Sequence, residues 1–392
     1  MDTPLQAQLA LLRKRIEKVD GRFNAPSAEP RLDGSAWIGG NEVETERGRH
    51  LEVERFYPSH YQHGNVLVER LADLSAKKWV YLDTETTGLA GGAGTMAFLI
   101  GAASITPDGF CLKQWFIREH GEEASALHSL SAYLTAFDTV VSYNGKSYDQ
   151  PLLETRFTLA RQKTPFSRLE HLDLLYGARR LWKLRFESCR LVELERQILG
   201  HHRIGDVPGE LIPQIYFDYL RTGRTDQLAA VLEHNALDIL SLAFLAAIIP
   251  TVFDDPLACH LKHGAELSGL ARWLVAQERL DEAAELYRRA VAAEISDDLL
   301  FRSLWEWSLV EKKREKTSEA LTIWTDLSNS RNPFQSEALV ELAKYYEHTE
   351  KNLFMALECT LAARKIRHCV ELTHRQSRLE RKMDFPRSGR LL

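Results

Sequence analysis

The sequence predicts an α/β domain, a mixed sheet flanked by helices, followed by an all-α helical-repeat domain. Three observations predict it. Short apolar runs of strand length crowd the first half of the chain and are missing from the second. In the first half they alternate with stretches of helical periodicity, in the order β-β-β-α-β-α, which argues for a mixed sheet with helices on its faces. Beyond residue 256 a pattern of small and large apolar residues recurs at near-constant spacing, as stacked helical hairpins require.

The 392 residues suit two domains and an additional arm. Residues 1–75 read as an N-terminal arm, with a short amphipathic helix at Gln6–Val19 and a loop over Phe23–Gly48, rich in Gly, Pro, Ser and charge. Residues 76–252 read as the α/β domain. Lys78–Glu85 is its first buried strand. Met96–Ile105 and Phe110–Ile117 are two more, separated by the turn signal Thr106-Pro107-Asp108-Gly109. A helix follows at Glu119–Phe137, a strand at Asp138–Tyr143 and a helix at Gln150–Arg161. From His171 to Ile249 the pattern is helical throughout, broken at Gly200–Gly209 and Thr222–Thr225.

Pro250–Pro256 marks a boundary, and residues 258–372 read as the repeats. Ala283-x3-Tyr287-x2-Ala290, Ala320-x3-Trp324-x2-Leu327 and Ala356-x3-Thr360-x2-Ala363 lie 37 and 36 residues apart, each behind an apolar first helix. This is the second-helix pattern of a tetratricopeptide-like hairpin, a little longer than the usual ~34-residue period and without its glycine and proline signposts. An irregular helical bundle is the alternative. Residues 373–392 form a basic tail. Arg375, Arg378, Arg381, Lys382, Arg387 and Arg390 face only Glu380 and Asp384, a set that is either solvated or able to track phosphates.

Composition narrows the class. Hydrophobic residues make up 44% and charged residues 27%, as in ordinary globular proteins. The net charge of −5 does not announce a nucleic-acid binder, although binding confined to one groove leaves the global charge silent. No apolar run approaches the ~20 residues of a membrane helix, and the N-terminus lacks an apolar signal core. Five cysteines are scattered with no CxxC pair, which suggests reduced thiols and a cytoplasmic location.

Chemistry concentrates in Tyr81-Leu-Asp-Thr-Glu-Thr-Thr-Gly-Leu-Ala90. Asp83 and Glu85 sit two apart on a strand, so they share a face. Two close carboxylates repel unless a cation or proton lies between them, and hard oxygen ligands suit Mg²⁺ or Mn²⁺. Asp149 closes "VVSYNGKSYD" at the start of a helix. His234 and Asp238 lie four apart in "LEHNALDILSL", one turn apart on a helical face. Gathered together, four carboxylates and a histidine could bind two divalent ions, which clamp the attacking and leaving oxygens of a phosphodiester.

These residues match a known pattern. The chain resembles the ribonuclease-H-like, DEDD-type (DnaQ-like) 3′–5′ exonucleases. Asp83-Thr84-Glu85-Thr86-Thr87-Gly88 fits their first motif, Tyr143-Asn144-Gly145-Lys146-Ser147-Tyr148-Asp149 the second, and His234 with Asp238 the third. More narrowly, it is similar to the bacterial YprB-like branch, whose pattern also covers "TGLAGGAGTMAFLIG", "ARRLWK", "CRLVELE" and "GDVPGELIP" and places helical repeats behind the domain. The resemblance runs from about Pro58 to Leu245. One departure stands out. The histidine subgroup places its His five residues before the last Asp and the tyrosine subgroup a Tyr four before; here a His has the tyrosine spacing.

The resemblance implies a metal-dependent 3′–5′ exonuclease with two Mg²⁺ or Mn²⁺ ions, acting on DNA in repair, with a helicase partner docked on the repeats. Asp83, Glu85, Asp149 and Asp238 are then metal ligands. His234 orients or deprotonates the attacking water. Thr86, Thr87, Gly88 and Leu89 approach the 3′-terminal nucleotide, with Asn144 and Lys146 also touching substrate. An exoribonuclease trimming RNA 3′ ends, or a scaffold that binds nucleic acid without cleaving it, are the alternatives.

The remaining candidates carry blander readings. The run Gly91-Gly92-Ala93-Gly94-Thr95 is either a substrate contact or a flexible connection, and it is not a phosphate-binding Walker sequence. Asp173 reads as a helix cap, and His201 and His202 as surface residues. Cys259-His260-x2-His263 has too few ligands for zinc. Arg179, Arg180, Lys183 and Arg185 either line a nucleic-acid groove or form a solvated face. Trp79 and Trp182 read as core.

Overall fold

The structure is a computed structural model that describes residues 39–88 and 94–384. The helix expected at Gln6–Val19, Leu89, most of the glycine run and the last eight residues lie outside the described residues. The chain forms two units, one within Met1–Asp173 and Glu195–Phe244, the other within Leu174–Leu194 and Leu245–Leu392.

In the first unit the expected strands form a mixed sheet, with seven strands among the described residues. These are β1 (Asn41–Thr45), β2 (Gly48–Pro58), β5 (Trp79–Thr86), β6 (Ala97–Thr106), β7 (Gly109–Phe116), β8 (Thr139–Ser142) and β9 (Glu170–Asp173). They lie in the order β1-β2-β7-β6-β5-β8-β9. From β1 through β5 the pairings are antiparallel, while β5–β8 and β8–β9 are parallel. Two short strands, β3 (Gln62–His63) and β4 (Val66–Leu67), pair separately.

Two expectations about the strands are corrected. Residues 41–58, assigned to an arm, are the β1–β2 hairpin, and β2 pairs with β7 from Leu51 to Pro58. The strand reading fails here because the loop expected over Phe23–Gly48 takes in β1, and because His50 and Glu52 look like surface charge; both are buried. They satisfy each other, with His50 Nε2 3.0 Å from Glu52 Oε1. Helix α1 (Glu123–Leu134) supplies Ser125 and Ser129, four residues apart, which meet His50 and Glu52 respectively. The second correction is β9. His171–Asp173 is strand, because a four-residue edge strand runs straight into helix α3 (Leu174–Trp182) with no breaker between them.

Helices α1, α2 (Asp149–Leu159) and α4 (Ile212–Thr222) cover the sheet. The core they share with β5, β6 and β7 includes Val80, Leu82, Phe98, Ile100, Trp115, Leu130, Leu153, Phe157 and Tyr216. Phe98 stacks on Tyr216 at 4.0 Å, and the Tyr216 hydroxyl donates to Ile117 O, so a large ring is buried with its polar end paired. Helix α5 (Leu228–Asp254) corrects the expectation of no long apolar run. It is long and apolar enough to cross a membrane by length and composition, yet 67% of its most apolar window is buried inside the protein, as expected of a helix apolar all round in a core.

The second unit is helical. Three hairpins follow one another: α6 (Gly264–Ala276) with α7 (Leu280–Ala292), α8 (Asp297–Lys313) with α9 (Thr317–Asn329), and α10 (Gln335–His348) with α11 (Leu353–Ile366). The repeating residues Ala283, Tyr287, Ala290, Ala320, Trp324, Leu327, Ala356, Thr360 and Ala363 are all buried. Each hairpin turn contains one left-handed residue, Glu278, Glu315 and Lys351, with φ of 60°, 61° and 59°. Glycine usually holds such a position, so its absence from the sequence hid a regular turn.

Residues 373–384, expected in a basic tail, belong to helix α12 (Val370–Asp384), with Leu372 and Leu379 buried. Arg375, Arg378 and Lys382 all pair with the buried Glu347. Three of the tail's six cations are therefore occupied inside this unit.

Candidate active site

The site forms where the sheet changes from antiparallel to parallel. β5 and β8 run side by side there, and their carboxyl ends open to a common edge, where α/β sheets place ligands. Asp83 and Glu85 lie on β5 opposite Gly101 and Leu99 of β6. Gly101 has a steric reason. A Cβ there would come within 2.2 Å of Asn235 Oδ1 and 2.3 Å of Ile239 Cδ1. Its absence lets α5 approach the sheet, so that Asn235 Nδ2 donates to Asp83 Oδ2 at 2.9 Å. Gln114 of β7 donates to Asn235 Oδ1 at 2.8 Å and fixes which end of the amide faces the acid.

β8 delivers the second motif. After Ser142 the chain turns through Asn144, in the left-handed region at φ 69°, and Asp149 opens α2. A Cβ on Gly145 would meet Ser142 Oγ at 2.5 Å and Asp149 Oδ2 at 3.1 Å, so the turn needs a glycine at this point. Asp173 does not cap a helix through these contacts: its carboxylate accepts the Asn144 and Lys146 amides at 2.8 and 3.1 Å. His171 Nε2 meets Ser142 Oγ at 2.7 Å, and its Nδ1 meets Gln150 Oε1. Strand β9 thus braces the loop that presents Asp149. Thr84 Oγ1 donates to Asp149 Oδ1.

α5 brings His234 and Asp238, and the loop before α4 adds two residues that the sequence did not single out. Arg203, its side chain 4% exposed, donates from Nη2 to Asp238 Oδ1 at 2.5 Å and from Nη1 to Asp206 Oδ2 at 3.1 Å. The fully buried Glu195 holds the guanidinium through Nε and Nη2. Asp206 Oδ1 lies 2.8 Å from His234 Nδ1. Asp206 stands within "GDVPGELIP", but no spacing rule connects it to a histidine 28 residues later.

The structure therefore brings Asp83, Glu85, Asp149, Asp238 and His234 to one place. Ligand atoms of Glu85, His234 and Asp238 all lie within 4.8 Å of one another. Burial pushes the Asp83 carboxyl well above the usual range, and the charges of Asp238, Asp149 and Glu85 push it further. Glu85 is raised by burial and by Asp238, Asp149 and Asp206, against the pull of Arg203. Asp149 is pushed up to about 6, mainly by burial, although the Thr84 hydroxyl lowers it. Burial would raise Asp206 too, but the hydrogen bond from His234 and the charge of Arg203 hold it below the ordinary value. One arginine does not balance this much negative charge, and the oxygen-rich donor set fits a hard divalent cation.

A second group, His63, Glu195 and His201, also comes within 4.8 Å. The His63 and His201 rings are stacked 4.1 Å apart at 21°; His63 Nε2 meets Ser241 Oγ at 2.7 Å and His201 Nε2 lies 3.5 Å from Glu195 Oε1. Burial, with the charges of His201 and Arg203, drives His63 down to about 3. His201, expected on the surface, is half-buried against this pair, whereas His202 is exposed.

Among the substrate candidates, Thr86 ends β5 and its hydroxyl donates to Gly88 O. Thr87 Oγ1 accepts the Met96 amide, and the Thr87 amide donates to Met96 O. Lys146 is exposed. Of the basic stretch, Arg185 pairs with Glu266, while Arg179, Arg180 and Lys183 are exposed. Trp182 is core, its Nε1 donating to Glu266, whereas Trp79 is half-buried under Lys77.

Two comparisons place this geometry. A family model described as RNase_H superfamily matches residues 80–249, the span that holds all five of these residues. "Uncharacterized protein YprB" of Bacillus subtilis (strain 168) is 35% identical over 329 residues, covering 78% of each chain.

Proposed function

The chain belongs to the ribonuclease H superfamily, and from that premise we propose that it is a divalent-metal-dependent 3′–5′ exonuclease of the DEDD type, cleaving DNA in repair in the cytoplasm. The observation that carries this reading is the surplus of half-buried negative charge gathered at the end of β5. Asp83, Glu85 and Asp149 are all pushed up by burial, and Arg203 answers mainly Asp238, Glu195 and Asp206. A protein that buries such a set gains from a cation there.

Asp83, Glu85, Asp149 and Asp238 would hold Mg²⁺ or Mn²⁺, two ions in the full site. Bound divalent ions supply charge stabilisation at the phosphate oxygens and a more acidic water. His234 presents its Nε2 to the acid cluster and takes the proton of the attacking water. The backbone of Thr86–Leu89, with Asn144 and Lys146, holds the 3′-terminal nucleotide. The hairpins at 258–372 offer a surface for a helicase partner. The preference for DNA rests on the family resemblance alone.

The test is cleavage of 5′-labelled DNA and RNA of one sequence by the purified chain, with Mg²⁺, Mn²⁺ or EDTA. A metal-dependent ladder shrinking from the 3′ end of DNA, and lost in Asp83→Ala and Asp149→Ala, is expected. A ladder on RNA alone would make it an exoribonuclease. Binding without turnover in either metal would make it a scaffold.

A further inference from the structure

We infer that Asp206 is the positioning residue of His234, braced in that task by the Arg203–Glu195 pair. The inference rests on His234 acting as the base of the proposed reaction, but its geometric part stands without it.

The His234 ring lies between two carboxylates. Nδ1 is 2.8 Å from Asp206 Oδ1, and Nε2 is 3.5 Å from Asp238 Oδ2. The first distance is a full hydrogen bond and the second is at the limit of one. Arg203 Nη1 also lies 3.5 Å from Nδ1, but the Asp206 contact is shorter at 2.8 Å and Asp206 can only accept, so a neutral ring carries its proton on Nδ1, shared with Asp206. That leaves the Nε2 lone pair on the side of Asp238, within the group that Glu85 completes, where a reacting water belongs. A ring with the opposite tautomer would donate into the acid cluster and could not take a proton there.

Asp206 is itself immobilised on both oxygens. Oδ1 also accepts the amide of Val207 at 2.9 Å, and Oδ2 accepts Arg203 Nη1 at 3.1 Å. Arg203 does not depend on Asp206 for its own place. Glu195 takes its Nε at 3.0 Å and its Nη2 at 2.6 Å, and Ser241 donates to Glu195 Oε2 at 3.0 Å. The chain Ser241–Glu195–Arg203–Asp206–His234 thus runs from the buried side of α5 to the base. The same guanidinium reaches Asp238, so one braced cation sets both the histidine and the last acid. This explains why His234 works at four residues before Asp238: the ring is oriented by the loop across from it, not by its own helix.

The test uses the full chain labelled with ¹⁵N. The His234 ring signals, assigned by their loss in His234→Asn, are expected to report Nδ1–H with Nε2 unprotonated. In Asp206→Asn they shift toward the Nε2–H form, and Asp206→Glu restores the original form in part. Unchanged circular dichroism shows that the fold persists. An unaltered His234 tautomer in Asp206→Asn overturns the inference. In the cleavage assay Asp206→Asn is expected to lower kcat about 100-fold, within the range for a positioned general base, with KM little changed. In a His234→Ala background the same substitution has no further effect, whereas independent, multiplying losses overturn the inference. Should no nucleic acid be cleaved, the proposed reaction fails, and the tautomer measurement alone decides the role of Asp206.

Discussion

Two carboxylate sites on one sheet, one buried and one half-buried, are treated in opposite ways. Glu52, 6% exposed on β2, receives His50, Ser129, Lys113 and Trp115. Although burial works to raise it, these partners hold it down at about 2. Asp83 on β5 receives one amide from Asn235 and faces three other acids, and its carboxyl is driven up. A carboxylate buried for architecture brings its partners from within the chain. The half-buried Asp83 is left short of them, and the shortfall fits a place for a cation from outside.

The strongest way to break this contrast is at Glu52. Glu52→Gln removes a charge that Lys113 and the neighbouring donors require, and it should destabilise the protein by about 2–3 kcal/mol, read from urea unfolding. A neutral result would mean that Glu52 is no better satisfied than Asp83. At the other site the sign reverses. Asp83→Asn relieves repulsion, so with a chelator present its unfolding free energy should rise by about 1 kcal/mol while cleavage disappears. Millimolar Mg²⁺ or Mn²⁺ should raise the melting temperature of the wild type and leave that of Asp83→Asn nearly unmoved. A variant less stable than wild type would show that the acids are satisfied as they stand.

pH sharpens the same comparison, because the shifts have opposite signs. Glu52 falls from 4.5 to about 2 on folding. Its contribution is present above pH 4.5 and is lost as pH falls through 2. Asp149 rises from 3.8 to about 6. Its contribution is complete below pH 3.8 and is lost as pH rises through 6. Without metal, Asp149→Asn should therefore gain on the wild type as pH climbs from 4 to 7, whereas the deficit of Glu52→Gln should shrink only toward pH 2. Taking differences removes the background from His63, which titrates in both proteins. Parallel curves for Asp149→Asn and wild type would contradict the raised carboxyl.

What the sequence disclosed follows from the same physics. The grouping of Asp83, Glu85, Asp149, Asp238 and His234 is legible because these residues sit in three short motifs that match a known family pattern; their spacing alone does not join them. Arg203 and Asp206 are not, since their role depends on the path of a loop that no local rule describes. The strand β2 hid behind His50 and Glu52, whose charges suggest solvent until Ser125, Ser129 and Lys113 are seen around them. The hairpins were legible from buried alanines at constant spacing, but their turns were not, because Glu278, Glu315 and Lys351 take a conformation that usually signals glycine.

The smallest expected effect tests whether satisfaction can be redundant. Glu347 in the second unit is fully buried at its side chain and meets Arg375 at 3.0 Å, Arg378 at 2.6 Å and Lys382 at 2.7 Å. Burial would raise its carboxyl, but the hydrogen bond from Lys382 and the charges of Arg378 and Lys382 hold it below the ordinary value. Lys382 keeps 47% of its side chain in solvent, so water screens its share. Lys382→Ala leaves two arginines on the same carboxylate and should cost under about 1 kcal/mol in urea unfolding. Glu347→Gln instead strands three cations, two of them more deeply placed than the lysine, and should cost more than Lys382→Ala. Equal losses from the two variants would mean that Glu347 depends on Lys382 alone. Helix α12 would then be fastened by a single exposed contact, and the rule drawn from Glu52, that a structural carboxylate is held by several partners at once, would not extend to the repeats.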